Sequence, residues 1–223
     1  MPFVSILTPT FNRRKFFPQY FRNIRRQDYQ GPIEILIADD GDDKIEDLIP
    51  NDISFRYIKL DQKKTIGYKR NLLCHEAKGD ILIHMDDDDF YPSQRISHAV
   101  EKLSHGEACI AGASHCYLYS KHHGVTEFGP VGRFHATAGT FAFYKEYSIS
   151  NQFDEFTSFG EEKSFTQNFT NPLIQLDALK TILVICHDNN TVSKAKVSRR
   201  AVDLSLKSFV ENITEYDFYM SEL

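Results

Sequence analysis

Short runs of aliphatic residues alternate with longer amphipathic segments along the first part of the chain. The aliphatic runs predict strands, over residues 3–8, 33–39, 55–60 and 80–85. The segments between and after them predict helices, over residues 17–27, 65–79 and 93–104. Strands that are apolar on both faces and separated by helices indicate a mainly parallel sheet that helices cover on both sides. We therefore expect an α/β fold.

The second part of the chain alternates polar and apolar residues more strictly and contains more turn signals. Segments 108–121 and 139–147 predict antiparallel strands that cover or extend the sheet. Segment 159–169 predicts the start of a helix, and segment 180–187 predicts a late strand. Segment 192–213 predicts a basic loop followed by an amphipathic helix, whose buried stripe would be Val202, Leu206, Phe209, Val210 and Ile213.

Polar residues cluster where three of the predicted parallel strands end. TPTFNRR follows the first strand, DDGDD comes at the end of the second, and DDDD follows the fourth. Ligands of parallel sheets bind beyond the carboxyl ends of the strands. We therefore expect these three clusters to meet at one edge of the sheet.

The aspartate run Asp86–Asp89 requires a neutralising partner. Two like charges about 4 Å apart repel by about 1 kcal/mol in water, and by about 4 kcal/mol at an effective dielectric constant of about 20. The run could be a solvated acidic loop, a Ca²⁺ loop or a catalytic divalent-metal site. It follows a strand that should be buried, and it lacks the central glycine and terminal glutamate of an EF-hand. A Mg²⁺ or Mn²⁺ site that leaves positions open for substrate phosphates is therefore favoured.

Three further segments carry candidate chemistry. GYKRN (residues 67–71) offers two cations, and an arginine fork suits a diphosphate. His187 ends the late strand and would be either a structural residue or a further metal ligand. The basic segment 194–200 would be a lid over the diphosphate, a surface for anionic lipid, or neither.

Composition narrows the class of protein. The net charge of -5 and the pI of about 6.0 do not indicate a nucleic-acid binder. The cysteines form no CxxC pair and no zinc spacing, which is typical of free thiols in a reducing compartment. The N-terminus predicts a strand rather than a signal peptide, and no apolar window approaches the ~20 residues that span a bilayer. We expect a cytoplasmic protein without a transmembrane segment, with peripheral membrane contact still open.

Several segments occur together in an order that is typical of one enzyme family: VSILTPTFNR, ILIADDG, GYKRN, ILIHMDDDDFYP, GEE and VICHDNNT. Through them the chain resembles GT-A inverting glycosyltransferases of the family 2 type over most of its length. The resemblance implies a GT-A fold, with a Rossmann-like, mixed and mainly parallel sheet flanked by helices. It implies one domain over 1–223, in which 1–105 bind the nucleotide sugar and 106–223 bind the acceptor and end in a helix.

The resemblance also implies the ligands and the donor site. The donor would be a UDP- or GDP-linked sugar, the cofactor Mn²⁺ or Mg²⁺, and the acceptor a glycan, glycoprotein or glycolipid. Asp39 or Asp40 would accept a hydrogen bond from the base, and Arg70 would face the diphosphate. The full set of donor-binding residues would be Pro9, Thr10, Phe11, Arg13, Asp39, Asp40, Gly67, Arg70, Asp86 and Asp87.

By the same resemblance, the metal ligands would be Asp88, Asp86 and His187, with residues 86–88 as the DxD motif. Attack from the opposite face of the sugar needs a carboxylate that deprotonates the acceptor hydroxyl. The family places this carboxylate in an acidic pair at a helix start, where Glu162 matches the usual base and Glu161 is the alternative. An acidic pair is also common in any first helical turn, because it complements the macrodipole.

Other functions stay open at the level of the sequence. A nucleotidyltransferase or sugar-nucleotide pyrophosphorylase usually has a glycine-rich loop after the first strand, where this chain has TPTFNRR. A non-catalytic carbohydrate- or Ca²⁺-binding module would require neither Arg70 nor the glutamate pair. Several aromatic side chains would either stack on an acceptor sugar or form core, namely Tyr117, Tyr119, Phe141, Phe143 and Tyr144.

Overall fold

The structure is a computed structural model that describes residues 1–51, 54–188, 190 and 199–221. The strands are β1 (Val4–Thr10), β2 (Ile33–Asp39), β3 (Phe55–Lys59), β4 (Ile81–His84), β5 (Ile110–Gly112), β6 (Cys116–Ser120), β7 (Gly124–Phe128), β8 (Ala142–Tyr144), β9 (Ile174–Gln175), β10 (Leu183–Ile185) and β11 (Arg200–Ala201). The helices are α1 (Phe17–Arg25), α2 (Ile66–Glu76), α3 (Arg95–His105), α4 (Lys145–Ser150), α5 (Glu162–Phe165), α6 (Ala178–Thr181) and α7 (Ile213–Ser221).

The larger sheet has the strand order β3-β2-β1-β4-β8-β5-β9. Its first four strands are parallel to one another, in the 3-2-1-4 order of a Rossmann-like half. Strand β8 is antiparallel to both β4 and β5, so the sheet is mixed. Ile6, Ile35 and Ile81 contribute to one face of the core, and Leu7, Leu36 and Leu82 contribute to the other. The predicted α/β class with a mainly parallel sheet is confirmed.

Strand β1 continues to Thr10, although the sequence predicts that it stops before Pro9. Proline has no N–H to donate to a ladder. Backbone groups of Leu7 bond towards β4 and those of Thr10 bond towards β2, so Pro9 faces the β4 side. Pairing with β4 ends at Leu7, and the missing N–H therefore costs no ladder bond. The extension carries Thr10 to the edge where the polar clusters meet.

A smaller sheet has the order β10-β6-β7-β11. Strands β6 and β7 form an antiparallel hairpin, whose second strand lies outside the two segments predicted as strands, whereas β10 pairs in parallel with β6. A bridge between Phe90 and Leu183 ties β10 to the chain just after the aspartate run. Tyr219 of α7 packs with Leu183 and Ile185 in the core of this part. The late strand is thus held next to the carboxyl edge of the larger sheet.

The prediction of an amphipathic helix within 192–213 is wrong for the residues that the structure describes. Residues 191–198 lie outside the described residues. After Ser205 there is one short 3₁₀ turn, and a regular helix begins only at Ile213. Ser205 caps the short turn, and the Asn212 side chain accepts hydrogen bonds from two amides of the first turn of α7. These two caps separate the short turn from α7, so the predicted continuous helix does not form. Ile213, which the prediction placed in the buried stripe, is therefore exposed.

An aromatic cluster holds α5 in place. Phe165 stacks on Phe153, with the ring centroids 4.0 Å apart and the planes at 7°. Phe141 and Phe143 pack against the same ring. Both are fully buried, so they form core rather than an acceptor platform. Because α5 begins at Glu162, the cluster also positions the predicted catalytic pair.

Within the described ranges, no helix has both the length and the apolar character that crossing a membrane requires.

We expect Phe165→Ala to lower the free energy of unfolding by about 3–5 kcal/mol, because it leaves a cavity among four packed rings. Urea denaturation followed by circular dichroism measures this change. Phe156→Ala is the matched control, since Phe156 is 95% exposed and its loss should change stability by no more than about 0.5 kcal/mol. Equal effects of the two substitutions would contradict the packing role of Phe165.

Candidate active site

A cavity of about 510 Å³ lies at the carboxyl ends of β1, β2 and β4. The structure brings the three polar clusters together here, as the order of the strands requires. The lining residues are Pro9, Thr10, Phe11, Asn12, Arg13, Asp40, Lys63, Lys64, Ile66, Lys69, Asp86, Asp87, Asp88 and Ser158. The wall therefore combines four cationic side chains with four carboxylates.

Asn12 shapes the turn after β1. It has a positive φ of 53°, a conformation that asparagine tolerates better than most residues. Its side-chain Oδ1 accepts hydrogen bonds from the amides of Asp42 (2.7 Å) and Asp43 (3.1 Å). The turn after β1 is thus tied to the loop after β2, and Asn12 is a cavity residue that the predicted donor site did not include.

Asp39 and Asp40 have different environments. Asp39 accepts hydrogen bonds from two backbone amides and from the Tyr57 hydroxyl, so its own chain already uses both of its oxygens. Asp40 lines the cavity and accepts hydrogen bonds from the Lys69 ammonium and from the Lys64 amide, both at 2.6 Å. Both carboxylates are thus hydrogen-bonded, but Asp40, unlike Asp39, lines the cavity. This position favours Asp40 for a contact with the nucleoside, and the assignment stays a prediction.

Lysine side chains supply much of the positive charge of the cavity. Lys69 is buried and donates to both Asp40 and the carbonyl of Thr10. Burial lowers the pKa of Lys69, and the hydrogen bond to Asp40 opposes that shift. The Lys63 ammonium lies 4.1 Å from the centre of the Phe11 ring. Lys63 comes from the loop after β3, so only the fold reveals its place in the wall.

The first two aspartates of the run differ in their surroundings. The Asp86 amide donates to the Tyr91 hydroxyl, and its carboxylate lies 3.2 Å from Arg70. Asp87 is buried. Burial and then the neighbouring charge of Asp88 raise the pKa of Asp87 well above its ordinary value.

The last two aspartates connect the run to β10. Asp88 Oδ2 lies 3.0 Å from Nε2 of His187 and 3.6 Å from the Arg13 guanidinium. Asp89 Oδ1 accepts a hydrogen bond of 2.8 Å from the amide of Ile185. Asp89 therefore anchors the strand whose continuation places His187 beside Asp88.

Asp88 and His187 fit a divalent-metal site as two of its ligands. Adjacent ligands of an octahedral ion, each about 2.1 Å from the metal, lie about 3.0 Å apart. The separation of 3.0 Å between Asp88 Oδ2 and His187 Nε2, at which the two groups hydrogen-bond to each other, is also compatible with this spacing. Among the residues that the structure describes, no group of three or more His, Cys, Asp or Glu side chains is arranged to hold a metal. The chain would thus provide two ligands, and Asp86, the third predicted ligand, instead faces Arg70.

Arg70 lies behind the cavity wall and is only 2% exposed. Its guanidinium contacts Asp86 at 3.2 Å, Glu161 at 3.2 Å and Nδ1 of His84 at 3.0 Å. Burial alone would lower the pKa of Arg70, but the charges of Asp86 and Glu161 outweigh it and raise that pKa. Burial lowers the pKa of His84 well below its ordinary value, so a neutral imidazole adjoins the cation. The predicted contact of Arg70 with a diphosphate stays a prediction.

The two glutamates of the acidic pair have separate environments. Glu161 is buried and forms an ion pair with Arg70, which links it to Asp86 across one guanidinium. Glu162 is half-buried at the start of α5. Burial and then the charge of Glu161 raise the pKa of Glu162 above its ordinary value. A carboxylate with a raised pKa and no ion pair among the described residues suits a general base better than one held by Arg70.

Gly67, the remaining predicted donor residue, faces the loop that precedes α5. A Cβ at this position would meet the carbonyl oxygen of Asp154 at 1.9 Å, so only glycine permits the approach. Gly67 thus allows α2 to pack closely against that loop. Ser158 of the same loop lines the cavity, and no motif signals it in the sequence.

The chain belongs to glycosyltransferase family 2. The family described as "Glycosyl transferase family 2" matches residues 5–166. The match includes the turn after β1, the aspartate run and the glutamate pair.

Two curated relatives are similar to part of the chain. The GalNAc(5)-diNAcBac-PP-undecaprenol beta-1,3-glucosyltransferase of Campylobacter jejuni is 28% identical over 138 residues, which are 59% of this chain and 44% of the relative. The putative colanic acid biosynthesis glycosyl transferase WcaA of Escherichia coli is 30% identical over 124 residues, which are 53% of this chain and 42% of the relative. The chain spans less than half the length of these relatives.

Solved structures share the GT-A fold. The mannosyltransferase PcManGT of Pyrobaculum calidifontis, in complex with GDP-Man and Mn²⁺, has a TM-score of 0.62 at 15% identity. The similarity covers 80% of this chain and 57% of PcManGT. S. aureus TarS 1-349 in complex with UDP-GlcNAc has a TM-score of 0.64 at 17% identity, over 89% of this chain and 62% of TarS 1-349.

We expect Arg70→Leu to lower the free energy of unfolding by about 3–5 kcal/mol, because Asp86 and Glu161 would keep their charges without a buried partner. Chemical denaturation measures the loss. Arg56→Leu is the matched control, since Arg56 pairs with Glu76 at the surface and such pairs contribute about 0–1 kcal/mol. If Arg70→Leu cost no more than Arg56→Leu, the link between the two carboxylates would not be structural.

Proposed function

We propose that the chain is a metal-dependent, inverting glycosyltransferase that moves a sugar from a nucleotide-diphospho-sugar to an acceptor hydroxyl. The proposal is carried by one cavity, in which lysine and arginine side chains stand beside the DxD carboxylates at the ends of the parallel strands. A nucleoside diphosphate needs cations near its phosphates and carboxylates for its hydroxyl groups and its metal. Membership of family 2 and the shared GT-A fold support the same reaction.

The donor would be linked to UDP or GDP. The related structures hold GDP-Man or UDP-GlcNAc, which supports this class without choosing the base. Pro9, Thr10 and Phe11 would line the nucleoside pocket, and Asp40 would contact the base or ribose. Residues 1–105 would supply the donor side of a single domain, and residues 106–223 the acceptor side. The name of the Campylobacter jejuni relative supports a glycan or glycolipid acceptor.

Asp88 and His187 would hold the cofactor. When bound, Mn²⁺ or Mg²⁺ would neutralise part of the charge that develops on the departing diphosphate. Arg13 and Lys63 line the same cavity and would add fixed positive charge there without reorganising. Arg70 would act from behind the wall, by holding Asp86 and Glu161 in fixed positions.

Glu162 would be the general base. It would take the proton of the acceptor hydroxyl as that oxygen attacks the anomeric carbon and the bond to the diphosphate breaks. Attack opposite the leaving group inverts the anomeric configuration. The ion pair of Glu161 with Arg70 supports this choice, because it leaves Glu162 as the member of the pair that could change its protonation state.

We expect Asp88→Asn and His187→Ala each to weaken Mn²⁺-dependent binding of UDP or GDP by at least about tenfold, since losing even an outer-shell partner costs about 10–100-fold. Calorimetry with Mn²⁺, and with EDTA instead, measures the effect without requiring turnover. Asp61→Asn and His105→Ala are matched controls, because both residues are exposed. Nucleotide binding that is insensitive to EDTA would contradict the metal dependence.

We expect Glu162→Gln to lower transfer by about 10²–10⁴-fold, the usual contribution of a general base, while calorimetric donor binding persists. Only the deprotonated carboxylate accepts a proton, so kcat/KM of the unaltered chain should rise with pH through the raised pKa of Glu162. Glu161→Gln removes a like charge beside Glu162 and so lowers the pKa of Glu162. The rise of kcat/KM with pH should therefore occur at lower pH in this variant. Near-normal turnover of Glu162→Gln would remove Glu162 from this role.

A further inference from the structure

Two large apolar side chains are exposed on the loop that precedes the glutamate pair. Phe156 is 95% exposed and Phe159 is 71% exposed, whereas most phenylalanines of the chain are buried or half-buried. Burying a phenylalanine side chain yields about 1.5–3 kcal/mol, which the fold does not obtain from these two. We call residues 154–159 the aromatic loop.

The backbone of the aromatic loop is fixed on α2. The Asn71 side chain donates to the carbonyl of Phe153 at 2.9 Å and to the Glu155 carboxylate at 3.1 Å. The amide of Gly67 donates to the carbonyl oxygen of Thr157 at 3.4 Å. The absence of a side chain at Gly67 lets α2 approach this closely. The two phenyl groups therefore project from an anchored segment rather than from a free loop.

The position of the loop connects these rings to the donor site. Ser158, between the two phenylalanines, lines the donor cavity. Glu161 and Glu162 follow the loop after Gly160, and Glu161 is held against Arg70. A molecule that lay on the exposed rings would thus adjoin both the donor cavity and the proposed base.

The charge around the rings indicates what kind of molecule this is. The segment 154–162 contains four carboxylates, Asp154, Glu155, Glu161 and Glu162, and no lysine or arginine. Glu161 is paired with Arg70 and Lys163 follows the segment, so three carboxylates and one cation set the local charge. An anionic lipid surface attracts basic segments and would be repelled here. A neutral sugar ring offers an apolar face to an aromatic side chain and hydroxyl groups to carboxylates.

We propose that Phe156 and Phe159 form the acceptor platform, on which a neutral acceptor sugar stacks with its hydroxyl directed to Glu162. The inference rests on the proposed glycosyl transfer and names the residues that bind the acceptor. It replaces Phe141 and Phe143, which the sequence offered for this role and which the structure buries.

The chain contains no tryptophan, so Phe156→Trp creates a single fluorescent reporter that preserves an aromatic surface. Methyl glycosides of glucose, galactose and N-acetylglucosamine are added one at a time with UDP or GDP and Mn²⁺ present. We expect at least one of them to shift the emission of the tryptophan at position 156. Leu179→Trp, on α6, is the control and should not respond. Saturation-transfer NMR of the same glycosides should show binding at least about fivefold weaker in Phe156→Ala/Phe159→Ala, which corresponds to about 1 kcal/mol or more.

Calorimetric binding of UDP and GDP should be unchanged in all of these variants, which also shows that they fold. A shift caused by phosphatidylcholine–phosphatidylglycerol vesicles but by no glycoside would overturn the acceptor platform in favour of a membrane surface. Intact nucleotide binding with neither response would overturn the platform and leave the proposed transfer standing. Failure of the unaltered chain to bind either nucleotide would overturn both.

Discussion

Four consecutive carboxylates at the end of a buried strand are the constraint on which the site depends. The fold meets it by giving neighbouring aspartates different partners. Asp86 faces Arg70, Asp88 faces His187 and Arg13, and Asp89 accepts the amide of Ile185. The charges thus become contacts that join β4 to α2, to the turn after β1 and to β10. The partners that offset the repulsion within the run therefore also hold these elements together.

Arg70 extends this arrangement from the aspartate run to the acidic pair before α5. A guanidinium can bind two carboxylates at once because its donors form a fixed fork. Here the fork joins Asp86 of the aspartate run to Glu161 of the acidic pair, far apart in sequence. The aromatic cluster around Phe165 packs the end of the short helix that begins at Glu162. Charge and packing together fix the start of α5, where Glu162 lies.

Particular elements show where sequence reasoning succeeds. The parallel strands and their acidic ends were predictable because buried strands read as aliphatic runs and ligands bind at carboxyl ends. The helix proposed near residues 202–213 failed, because the caps at Ser205 and Asn212 interrupt a segment whose hydrophobic period continues. Likewise, the sequence predicts that β1 ends before Pro9, whereas the strand continues to Thr10. Pairing with β4 ends at Leu7, so the missing N–H of Pro9 interrupts no ladder there.

The sequence by itself determined the fold class, the family and the edge of the sheet that carries the chemistry, because these follow from local periodicity and short ordered motifs. Only the tertiary structure decided which side chains line the same cavity and which form ion pairs with one another. It placed Arg70 behind the cavity, brought Lys63 into it, and separated the buried Phe141 from the exposed Phe156. Burial and ion pairing depend on residues distant in the chain, and no local pattern encodes that distance.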